Sequence, residues 1–134
     1  MVSGKKIMIV LLLLLAMLYG CKKNTELQAE KITGKIACTV KVKHHNWEVP
    51  GLKVSLKANT TVFPGYDDTQ YDRFLVTDTY GNVTFDSLFP GNFYLFSKGF
   101  DIIWGDTVIG YAPLVLNEST ISNNTLSTTL YVSE

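Results

Sequence analysis

Two adjacent histidines, His44 and His45, are the only imidazoles of this 134-residue chain. Imidazole suits both proton transfer near neutral pH and transition-metal binding. In an extended strand, neighbouring side chains point to opposite faces, so the pair could share one ion only from an irregular loop. No third ligand is evident nearby in sequence, and no metal is expected. Asp67, Asp68 and Asp72 lie in one connection. Carboxylates grouped on a loop suit calcium, but their spacing fits no EF-hand-type loop, and solvated loop acids are the plainer alternative. Cys38 sits on the apolar side of an alternating stretch, as a small buried hydrophobe does; a reactive thiol wants an exposed, cationic setting. Neither a Gly-x-Ser-x-Gly elbow nor a glycine-rich phosphate loop occurs. With no convergent acid, base and nucleophile, the expectation is a protein that is not an enzyme and needs no cofactor.

The elements that must position these residues read as strands. Ile32, Ile36, Cys38, Val40 and Val42 point one way and Thr33, Lys35, Thr39, Lys41 and Lys43 the other, the pattern of a strand with one wet face. Further strands are predicted over 52–57, 74–79, 82–86, 92–97, 107–116 with a bend at Pro113, and 126–132. Gly, Pro and Asn turns separate them, and no helical period intervenes. The connection from Ala58 to Arg73 exceeds a hairpin loop, and connections of that length are commonly functional or mobile. The fold class is therefore all-β: a single seven-stranded antiparallel β-sandwich. Because each connection reverses the chain, successive loops alternate between the two ends of such a sandwich. One end then gathers His44, His45, Trp47, Tyr80, Phe100 and Trp104. Aromatics there, beside Asn46, Glu48, Asp101 and Asp106, suit the stacking and hydrogen bonding of a sugar. The alternative is that Trp47 and Trp104 fold inward and cap the core.

The first residues carry an address rather than a fold. Lys5 and Lys6 precede an apolar run over 7–18 that is too short to span a membrane, the order expected of an export signal. The ending Leu18-Tyr19-Gly20-Cys21 resembles a bacterial lipobox, which implies removal of 1–20, acylation of Cys21 and attachment to a membrane through that lipid. Residues 21–30 form a polar tether and 31–134 the β-sandwich domain. With Cys21 used for lipid, Cys38 has no disulfide partner within the chain. The formal net charge of zero argues against a nucleic-acid partner.

The stretch from Thr77 to Leu95 carries the most specific pattern. Thr77, Asp78, Gly81, Phe85, Leu88, Pro90, Gly91 and Leu95, with Phe93 in place of a tyrosine, resemble the hallmark of prealbumin-like, or carboxypeptidase regulatory-like, domains. Gly34-Lys35-Ile36 and Pro50-Gly51-Leu52-Lys53-Val54-Ser55-Leu56 resemble the opening strands of that family. The resemblance implies a transthyretin-like or Ig-like sandwich and, with the lipobox, a Bacteroidetes-type outer-membrane lipoprotein whose periplasmic or surface orientation stays open. A related hydroxyisourate hydrolase ends in Tyr-Arg-Gly-Ser; this chain ends Tyr131-Val132-Ser133-Glu134, so that activity is not implied. Related adhesin repeats cross-link a first-strand lysine to a last-strand asparagine, but Lys35, Lys41 and Lys43 fall on the wet face. Asp86-Ser87-Leu88 and Asp106-Thr107-Val108 resemble Bacteroidetes O-glycosylation sites. The expected role is binding or accessory work at the envelope, in glycan capture or an uptake complex. The alternative is a structural or adhesin subunit related to fimbrial proteins.

Overall fold

The computed structural model describes residues 35–134. The export signal, Cys21 and the tether lie outside the described residues. The first strand, β1 (Ile36–His44), follows the alternation of its sequence, with Ile36, Cys38, Val40, Val42 and His44 buried. After a two-residue turn comes β2 (Trp47–Glu48), then β3 (Lys53–Ala58), β4 (Arg73–Val76), β5 (Asn82–Leu88), β6 (Gly91–Asp101), β7 (Asp106–Leu116) and β8 (Thr125–Tyr131). The structure is thus an all-β sandwich of two four-stranded sheets. Its eighth strand is β2, whose two residues are too short to show a period. The sixth predicted strand is continuous through Pro113 rather than bent there, and Pro113 sits opposite Tyr94 within β7.

In the first sheet β1 is central. One edge pairs antiparallel with β5 and, at its far end, with β2; the other pairs with β8 in parallel, from Ala37↔Thr125 to Lys43↔Tyr131. Side-chain alternation reports which face a residue takes but not which strands are neighbours, so the pairing of the first and last strands, which run the same way, departs from the all-antiparallel expectation. The second sheet runs β4-β3-β6-β7. Beyond β8 the chain leaves one sheet for the other: the Val132 amide donates to the Lys43 carbonyl, and Ser133 exchanges two backbone hydrogen bonds with Ile109 of β7. Gly110 permits this crossing, because a Cβ there would overlap the Tyr131 carbonyl.

The stretch from Thr77 to Leu95 is a set of structural fasteners. The buried Thr77 hydroxyl donates to the Val49 carbonyl and accepts from the Leu52 amide, pinning the turn that leads into β3. Asp78 accepts from the amides of Tyr80 and Asn82. Gly81, at φ +74°, lies so near the Val42 carbonyl and the Val49 amide that a Cβ would sit 3.0 Å from each. Between Cys38↔Phe85 and Ile36↔Leu88 the register slips, with Ser87 at φ 57° forming a bulge. Arg73 from the other sheet holds it, donating to the Asp86 carbonyl at 2.7 Å. Phe85, Leu88, Phe93 and Leu95 all enter the core, together with Cys38. Burial pushes the Cys38 thiol up to about 11, the behaviour of an inert packing residue.

The long connection after β3 covers a second, smaller core. Tyr94 and Phe96 point away from the sandwich interior, yet both are buried. Phe63, Tyr66 and Tyr71 cover them. Phe63 stacks on Tyr111 with centroids 4.4 Å apart, and Tyr71 stacks on Phe96 at 5.2 Å. The Tyr71 hydroxyl donates to the Gly65 carbonyl, and burial, with the nearby charges of Tyr94 and Asp68, pushes its pKa up to about 12. Each loop acid has its own partner. Asp67 caps the 3-10 turn Asp68–Gln70 through the Thr69 amide, Asp68 pairs with Lys53, and Asp72 accepts from the Ala58 amide and pairs with Lys57. These contacts hold the connection against the sheet.

Candidate functional site

Following the register, the turns after β1, β4 and β6 and the tail after β8 all lie at one end of the sandwich, as loop alternation requires. The two-residue turn between His44 and Trp47 places His45 at φ 49° and Asn46 at φ 75°. This is the left-handed pair that a tight hairpin needs. The chain therefore stops being extended just where the paired histidines occur, and the opposite-face rule no longer applies. The His44 and His45 rings lie with centroids 4.1 Å apart. Trp104 leans against both, at 6.1 Å from His44 and 5.1 Å from His45.

Asp101 organises this corner. It is fully buried at the end of β6, opposite Asp106. Its Oδ1 accepts from the Ile103 amide, shaping the turn that carries Trp104, and its Oδ2 lies 2.9 Å from His44 Nδ1. Burial opposes ionisation of Asp101, but the His44 hydrogen bond and the Ile103 and Trp104 amides outweigh it, holding the carboxyl below its usual range. The chain tail brings a second carboxylate from the other side. Glu134 Oε2 lies 3.1 Å from His44 Nε2 and 3.7 Å from His45 Nε2.

Of the six residues expected at this end, the structure unites His44, His45 and Trp104 in one cluster. Trp47 pairs with His44 through backbone register, and Tyr80 sits on the turn before β5. Phe100 is not in a loop, because β6 continues through Asp101; it lies opposite Thr107 on the strand. Trp47 and Trp104 are 62% and 48% exposed, so neither is folded inward to cap the core. Phe100, Tyr80, Ile102 and Ile103 are exposed as well. Glu134 was not anticipated as a partner of the histidines. Its approach depends on the crossing of the tail, and the only local signal for that crossing is the absence of a side chain at Gly110.

No family model matches the chain, and no curated protein matches it in sequence. Solved structures do share its fold. The group B streptococcus pilus 2b backbone protein is similar at a TM-score of 0.52 and 19% identity, over 74% of this chain and 40% of that one. BcpA, the major pilin subunit of Bacillus cereus, is similar at a TM-score of 0.50 and 13% identity, over 75% of this chain and 30% of that one. The chain spans less than half the length of either, and the likeness is one of fold: a β-sandwich resembling domains of pilus backbone proteins.

Proposed function

We propose that this chain is an exported, lipid-anchored module of the cell envelope with a structural or adhesive role and no enzymatic one. The observation that carries this reading is the parallel pairing of β1 with β8. β1 starts at one end of the sandwich and β8 finishes at the other. Tension between the two ends of the domain therefore pulls these neighbours in opposite directions along their length. Such a load is shared by the whole ladder at once, whereas an antiparallel hairpin pulled from its open end breaks bond by bond. The two solved structures of similar fold come from a pilus backbone protein and a major pilin subunit, which supports the same reading. In this arrangement lipid on Cys21 fixes the β1 end at a membrane, residues 21–30 are the spacer, and the His44 and Trp104 corner faces away.

One observation favours a second reading, glycan capture: the exposure of Trp47 and Trp104 at one end. The two separate in the producing cell. On the structural reading, deleting the protein weakens attachment to surfaces under flow, and Cys21→Ala, which frees the domain from membranes, reproduces the defect. Normal attachment combined with lost growth on one glycan would overturn the structural reading in favour of capture.

A further inference from the structure

We propose that His44, His45 and Glu134 form a binding site for a divalent transition metal of the zinc class. One donor atom from each lies within 4.8 Å of the others. Tetrahedral zinc with bonds of about 2.0–2.1 Å separates its ligand atoms by about 3.3 Å. The observed 3.1 Å from His44 Nε2 to Glu134 Oε2 and 3.7 Å from His45 Nε2 to the same oxygen bracket that separation.

The chemistry of the donor set points the same way. Asp101 Oδ2 accepts a hydrogen bond from His44 Nδ1–H, which leaves Nε2 of the neutral ring facing Glu134. A buried carboxylate behind an imidazole is also the outer support that metal-binding histidines use to fix tautomer and ring orientation. Two imidazoles and one carboxylate suit zinc, copper or nickel better than calcium or magnesium. His45 and Glu134 are roughly half exposed, at 52% and 58%, so an ion has a route in and its fourth position is open to water.

Trp104 supplies a reporter, because its ring lies 5.1 Å from that of His45. The chain holds two tryptophans and two histidines, so Trp47→Phe leaves Trp104 alone and no other imidazole competes. The test uses the full chain in detergent, made without a polyhistidine tag. Zinc is titrated by calorimetry, and copper is followed by quenching of Trp104. One zinc per chain is expected, with strong copper quenching. His45→Ala, at an exposed turn position that leaves the core intact, and Glu134→Gln should each weaken binding at least about tenfold. Asp101→Asn, a positioning residue, should weaken it about 10–100-fold while zinc still binds one per chain. Affinity unchanged in His45→Ala, or no response of Trp104 emission or melting temperature to millimolar metal, would overturn the site.

Discussion

At Gly110 a single hydrogen keeps the tail in place. A methyl group there meets the Tyr131 carbonyl and, at 2.7 Å, Val132 Cγ1. Backbone cannot rotate away as a side chain can, so Gly110→Ala should cost about 1–3 kcal/mol. The loss would be read from the denaturant midpoint at unchanged slope, and the displaced tail should withdraw Glu134 from His44. Tyr71 gives a prediction in pH. Its folded pKa, at about 12, lies above the ordinary value near 10. A raised folded pKa means that its contribution is fully present below about pH 10 and is lost as pH rises toward about 12. Tyrosinate absorbance should show a late phase that Tyr71→Phe removes. At this scale the sequence was legible where a residue acts on its neighbours. The turn at Asp78 and Gly81 follows from a pattern contained in a few positions, whereas the bonds of Thr77 to Val49 and Leu52 join residues more than twenty positions apart. The histidine corner was legible only in part. Strand periodicity separates His44 from His45, and a left-handed turn residue cancels it. Glu134 arrives through pairing that no local pattern records.

Among the elements, two faces of β6 bury different things. Phe85 from β5 and Leu95 from β6 lie in the central core, whereas Phe96 is sealed beneath the connection carrying Phe63, Tyr66 and Tyr71. Phe85→Ala should therefore destabilise the whole domain by about 3–5 kcal/mol. Phe96→Ala should first release the covering connection, seen as faster amide exchange over 58–73 while the amides of β1 and β5 stay protected. Equal acceleration everywhere would mean that the covering layer and the core unfold as one unit. The predicted strands overlap the observed ones, most clearly where β1, β5 and β7 bury one face and so carry a period of two; the strand predicted over 74–79 ends at Val76, and the one predicted over 92–97 runs on to Asp101. Three things had no such signal. The strand β2 is too short to alternate, the sequence does not say that β8 lies beside β1, and the apolar residues of the long connection cover an outer face that alternation assigns to water. Tyr94 and Phe96 on β6 were the available clue, since bulky aromatics occupied both faces of one strand.

For the molecule as a whole, the two ends have different chemistry, and the proposed structural role would load the parallel β1–β8 pair lengthwise. The histidine corner, the exposed aromatics and the tail share one end. The start of β1, nearer the predicted lipid attachment, lies at the other. Single-molecule pulling tests this arrangement most directly. Handles on Lys35→Cys and Ser133→Cys load β1 against β8 lengthwise; handles on Asn92→Cys and Val115→Cys, which face each other across β6 and β7, open that pair from one end. Forced unfolding follows the barrier along the pulled direction. The first geometry should therefore resist several times the force that opens the second. Rupture at equal or lower force through Lys35→Cys and Ser133→Cys would contradict a domain built to carry tension.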